Sequence, residues 1–87
     1  MKDQRPRLKP IQFAGMLPRD PRFRAFISQW MVPPREPTVD EAAHFIRVAC
    51  QIESRRELAT NREAAHRLQR FICRPFAEWQ EQQHQPA

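Results

Sequence analysis

Three observations predict an all-α fold for this chain. One glycine against nine prolines leaves little for tight hairpins and reads as helices separated by proline-marked breaks. Apolar residues recur at helical spacing along the chain, and no stretch alternates with period two. Serine or threonine followed three residues later by glutamate occurs three times between positions 38 and 63, each time where a helix would begin. At 87 residues the chain can build one modest core, and six Phe, two Trp and three Met supply it. The expectation is a small orthogonal or bundle-like domain over 11–80 with about four helices, roughly 21–31, 39–51, 55–59 and 61–80. A basic arm at 1–10 and a frayed polar tail at 81–87 flank it.

Residues 1–10 hold four cationic side chains, two prolines and little apolar material to bury, so they read as a mobile arm. The apolar patch 11–17, which contains the only glycine, is compatible with a helical turn or an extended segment. Asp20 is suited to cap a helix and Pro21 to its first position, where a missing N–H costs nothing. Phe23, Phe26, Ile27, Trp30 and Met31 then form an amphipathic stripe. Pro33, Pro34 and Pro37 forbid continuation.

Thr38 to Ile52 is the stretch around which the rest is organised. Thr38 and Glu41 make a capping box, and Val39, Ala42, Ala43, Phe45, Ile46, Val48, Ala49, Cys50 and Ile52 are apolar on nearly three sides. The pattern predicts a central, covered helix with one polar seam of Asp40, His44, Arg47 and Gln51. Ser54 with Glu57 opens a short helix, and Thr60 with Glu63 opens the last long one. Ala64, Ala65, Leu68, Phe71, Ile72, Phe76 and Trp79 keep one apolar face through Pro75, which predicts a kinked helix or two helices meeting at Arg74–Pro75.

The net charge is +5, and it is segregated. Residues 1–35 carry eight Lys or Arg against two Asp, whereas residues 36–87 carry seven Arg against eight acidic groups. The positive field of the front third suits phosphate or an acidic protein surface. Two cysteines are too few for a disulfide scaffold, and no segment reads as a signal peptide or membrane span, so a cytoplasmic setting is expected. No zinc-type spacing of Cys and His occurs, and a chain with one glycine has no Gly-rich phosphate loop. No nucleophile setting is recognisable either. Neither catalysis, metal nor cofactor is expected. The segment Cys50 to Leu58 has the outline of a helix-turn-helix with Arg55 and Arg56 at the head of its second helix. Its turn lacks glycine, its second helix is short, and Glu53 and Glu57 would repel phosphate there.

The run Cys50-x-Ile52-x-Ser54-Arg55-x-Glu57-Leu58, with Ala64-Ala65 and Arg74-Pro75-Phe76-x-x-Trp79, resembles a pattern in small helical proteins of phages and prophages. Lys9-Pro10-Ile11-x-Phe13 and Asp20-Pro21-Arg22-Phe23 resemble the same group. The resemblance implies an accessory or host-interaction protein and brings no catalytic residues with it.

Two functions fit these readings. In the first the chain binds nucleic acid through Arg5, Arg7, Lys9, Arg19, Arg22 and Arg24. In the second it is a protein-interaction module that modulates a host or phage complex, using Arg67, Arg70 and Arg74 or the seam residues His44 and Arg47. Trp30 and Trp79 lie on stripes wide enough to leave self-association open.

Overall fold

Prolines and caps set where the helices begin. In the computed structural model, which describes residues 9–84, α1 spans Pro10–Met16 and passes into a 3-10 turn at Leu17–Arg19. Helix α2 spans Pro21–Ser28, α3 spans Val39–Cys50, and α4 is the single turn Glu57–Thr60. Helix α5 (Arg62–Leu68), a π turn (Gln69–Cys73) and α6 (Arg74–His84) then follow as one unbroken helical stretch. No strand occurs among the described residues, and no described helix is long and apolar enough to cross a membrane. The 11–17 patch is therefore helical, and Pro10 already belongs to it. At the other end the helix runs past position 80 to His84, so the polar segment is ordered further than its composition suggested.

Local chemistry accounts for most boundaries. The Asp20 carboxylate accepts the Arg22 backbone N–H at 2.9 Å, as the Asp-Pro pair predicts. Thr38 Oγ1 accepts the Glu41 N–H at 3.1 Å while the Glu41 carboxylate accepts the Thr38 N–H at 2.9 Å, a complete capping box. The Glu57 carboxylate accepts the N–H groups of Glu53 and Ser54 at 2.9 and 3.0 Å. It thereby holds a turn over 53–56, and α4 begins at Glu57 rather than at Arg55.

Thr60 does not cap the last helix. It is the final residue of α4, and Asn61, in an extended conformation, accepts from Glu63 and Ala64 instead. Only one residue leaves the helical region between α4 and α5, so the cap must be that residue. Helix α2 ends at Ser28, three residues short of the expected 31, and the chain tightens into turns in which the Trp30 and Met31 N–H groups donate to the Ile27 and Ser28 carbonyls.

Helix α3 closes with Gln51 in the left-handed region at φ 60°, and the Ile52 N–H donates to the Arg47 carbonyl at 2.9 Å. This is a Schellman closure without its usual glycine. The helix is not covered on three sides. It buries Ala42, Ile46 and Cys50, while Val48 stays 62 % exposed. The molecule measures 36 × 35 × 18 Å, and 18 Å is under two full helix diameters, so no helix can be wrapped all round.

The core runs from Phe23, Phe26 and Ile27 of α2 through Ile46 and Cys50 of α3 to Leu68, Ile72 and Phe76. Phe23 meets Phe76 edge-on at 5.3 Å, and Phe26 lies 5.4 Å from Phe76 and 5.7 Å from Trp79. Burying each such phenyl group stabilises the fold by about 1.5–3 kcal/mol. The π turn explains how one apolar face survives Pro75. Proline has no N–H for the carbonyl one turn back, and widening the preceding turn absorbs that loss. It also lets Leu68, Ile72 and Phe76 stay buried at a spacing of four, and it turns Phe71 outward to 48 % exposure. The irregularity thus sits one turn ahead of the expected Arg74–Pro75 junction.

Candidate nucleic-acid interface

Helix α1 packs on α4, and the 3-10 turn that follows it packs on α3. Between these elements, the turn over 53–56 and one face of α3 enclose an open cleft of about 350 Å³. Four arginines line it: Arg19 from the 3-10 turn, Arg47 from α3, and Arg55 and Arg56 from the turn. Among the described residues, no carboxylate lies within 4 Å of any of the four guanidinium groups, in contrast to Arg22, Arg24, Arg35 and Arg67. Asp40 is the single acidic side chain in the lining, and Ala43, Ile46 and Ile52 supply apolar surface. A concave site with four cationic groups against one carboxylate concentrates a positive field and attracts anions.

The glycine has a specific place here. Gly15 of α1 faces the Arg55 guanidinium, and a Cβ at that position would stand 2.8 Å from Nη1. With no side chain at 15, Arg55 lies flat against the helix at the edge of the cleft.

The expected nucleic-acid residues separate under this geometry. Arg5 and Arg7 lie outside the described residues. Lys9 is exposed at the head of α1, and Arg19 enters the cleft. Arg22 forks onto the Asp20 carboxylate at 3.2 and 3.0 Å and holds that acid below its ordinary range. Both side chains line a different groove, between α1 and α6. Arg24 is an internal fastening: it donates to the Pro18 carbonyl at 2.9 Å and to Glu36 at 3.1 Å, with 16 % of its side chain exposed. Arg22 and Arg24 are thus already engaged within the fold, and only Lys9 and Arg19 of the described set remain open to phosphate.

The alternative set separates too. Arg67 donates to the Cys50 carbonyl at 2.7 Å and approaches Glu63 at 3.8 Å, so it ties α5 to the end of α3. Arg70 lies over the outward-facing Phe71 ring at 5.6 Å, and Arg74 is exposed. The seam of α3 splits: Arg47 turns into the arginine cleft, whereas His44 joins an open apolar groove with Ile27, Met31, Phe45 and Val48. At the rim of that side, Trp30 is 56 % exposed and stacks on Phe45 at 5.9 Å.

Arg55 and Arg56 entered the sequence reading only as the head of a helix-turn-helix. That motif's second helix is one turn long, and its arginines belong to the turn before it. What the sequence did signal was the density of arginine at 47, 55 and 56; what it did not signal was that 19 joins them.

Cys50 is buried, and burial pushes its thiol up to about 11; Cys73 is raised for the same reason. Thiols so raised are poor nucleophiles at neutral pH. Among the described residues no three His, Cys, Asp or Glu side chains converge as a metal site would require. Comparison with protein-family models, curated proteins and solved structures finds no match to this chain.

Proposed function

We propose that this chain is a non-catalytic module that binds nucleic acid, an accessory protein of the phage or prophage type. The observation that supports it is the convergence of Arg19, Arg47, Arg55 and Arg56 on one cleft, free of carboxylate partners among the described residues. Guanidinium groups so grouped repel one another, a cost that bound phosphate offsets. Lys9, exposed at the head of α1, adds a further cation outside the cleft lining. The accessory role rests on the sequence resemblance described above.

Fluorescence anisotropy with labelled strands across a salt series tests this reading. Binding should weaken linearly in log salt, and replacing one cleft arginine by glutamine should lower the slope by about 0.7–0.9. No binding at low salt would remove the nucleic-acid reading altogether.

A second reading, a protein-interaction module, has the apolar groove between α2 and α3 in its favour, where Val48 and Trp30 are both more than half exposed. Sedimentation of the chain and of its Val48→Lys variant tests the simplest form of it, self-association. A concentration-dependent mass in the parent that the variant lacks would support it.

A further inference from the structure

The cleft is neither purely polar nor flat, and that bears on which nucleic acid it suits. A phosphate gains nothing from apolar surface, yet the cleft wall beside the arginines includes Val39 and Ala43 on the first turns of α3. A phosphate is also repelled by a carboxylate, yet Asp40 stands on the same wall. A ligand matched to all three features has an anionic part for the guanidinium groups, an apolar face for the α3 wall, and an N–H edge for Asp40. A nucleotide with its base unpaired has all three. A duplex offers its phosphates and groove edges but no free base face, because its bases are stacked and their pairing edges are satisfied. The cleft volume, about 350 Å³, falls in the range of small-ligand pockets rather than of an extended groove.

Resting on the nucleic-acid reading, we infer that the cleft seats one unpaired nucleotide of a single strand. Its flanking phosphates lie on Arg19, Arg47, Arg55 and Arg56, and its base lies against Val39 and Ala43 with an N–H edge toward Asp40. Contact of an unpaired base with apolar side chains, and its stacking on guanidinium planes, tolerates any sequence, so the preference is for strandedness before sequence. Asp40 adds a bias toward bases with ring or exocyclic N–H donors.

Competition anisotropy on the full chain tests this directly. A labelled single-stranded oligonucleotide, as DNA and as RNA, is displaced by three unlabelled competitors of equal length: the same strand, its duplex, and a strand of abasic sites that keeps the phosphates alone. The expected result is that the intact single strand competes at least tenfold better than the duplex and the abasic strand. Equal competition by the duplex or the abasic strand overturns the inference while leaving nucleic-acid binding in place. Failure of the labelled strand itself to bind at low salt overturns both. The Asp40→Asn variant is a second measure, since the residue is exposed and its loss leaves the core untouched. It should bind the abasic strand more tightly and show a smaller single-strand advantage. A uniform rise for all three competitors overturns the role given to Asp40.

Discussion

The guanidinium of Arg55 lies against Gly15, with Nη1 2.8 Å and Cζ 3.4 Å from where a Cβ would be. These two residues are 40 positions apart in sequence. The first distance is shorter than real Cβ contacts, so a side chain at 15 must move the arginine, and the arginine is the part free to move.

That relationship predicts opposite effects of Gly15→Ala on folding and on binding. Alanine in place of a helical glycine favours the helix by roughly 0.5–1 kcal/mol, and the displaced guanidinium is a mobile end rather than backbone. Thermal stability should hold or rise. Nucleic-acid affinity should fall, and its salt slope should drop by up to about 0.7–0.9, one phosphate contact. A melt and a salt titration on the same sample check both signs. An unchanged slope would mean that Arg55 makes no phosphate contact from its present position.

How far the sequence could be read depended on the range of the interactions. Asp20 with Pro21 and Thr38 with Glu41 were legible because each cap is made within three residues. Thr60 misled because its pattern is equally local, while what decides the cap is that Thr60 still belongs to α4. The exposed side of α3 was illegible for a different reason: nine apolar residues in the stretch predict a covered helix, but a molecule 18 Å thick has nothing to cover it with. The arginine cleft was the least legible feature. Arg19 meets Arg47, Arg55 and Arg56 only through the packing of the 3-10 turn on α3, and no spacing in the sequence encodes that. Charge segregation pointed at the front third, and half of the described candidates there, Arg22 and Arg24, proved to be engaged in local bonds.

Arg67 is expected to act on stability and leave nucleic-acid binding unchanged. Its Nε donates to the Cys50 carbonyl at 2.7 Å, at the end of α3 where that carbonyl has no helical donor. Hydrogen bonds to charged groups contribute about 1.5–3 kcal/mol, so Arg67→Met should destabilise by about that amount. For a domain of this size the melting temperature falls by roughly 4–8 °C per kcal/mol. Arg70→Ala, on the exposed side of the same helix, should cost far less. Denaturant melts of the two variants compare them, and equal losses would deny Arg67 its fastening role.

Gln51 gives a stabilising prediction. It occupies the left-handed region at φ 60°, which costs a residue with a Cβ about 1–2 kcal/mol relative to the right-handed helix. Gln51→Gly removes that cost, offset in part by the greater freedom of glycine in the unfolded chain. The expected net gain is about 0.5–1 kcal/mol, read as a higher urea midpoint at unchanged slope. A lower midpoint would show that the Gln51 side chain contributes more than its backbone costs.

Acid should weaken the fold in part through Glu41. Two bonds from Arg35, at 2.9 and 2.7 Å, and the capping bond from the Thr38 N–H hold the Glu41 carboxyl at about 2, against an ordinary 4.5. A depressed folded value means that the folded state binds its proton later than the unfolded state does. The stability contributed by this ionised group is complete above pH 4.5 and is lost as the pH falls from there through about 2. Because the pair is exposed, salt should blunt the effect. Glu41→Gln keeps an oxygen for the Thr38 N–H and has no proton to gain, so its stability should fall less across this window. The Asp20 carboxyl, also depressed by its bonds from Arg22, leaves a remaining slope in both proteins. Urea midpoints at pH 5, 3 and 2 measure the difference, and parallel decline of the two proteins would show that Glu41 is not linked to folding in acid.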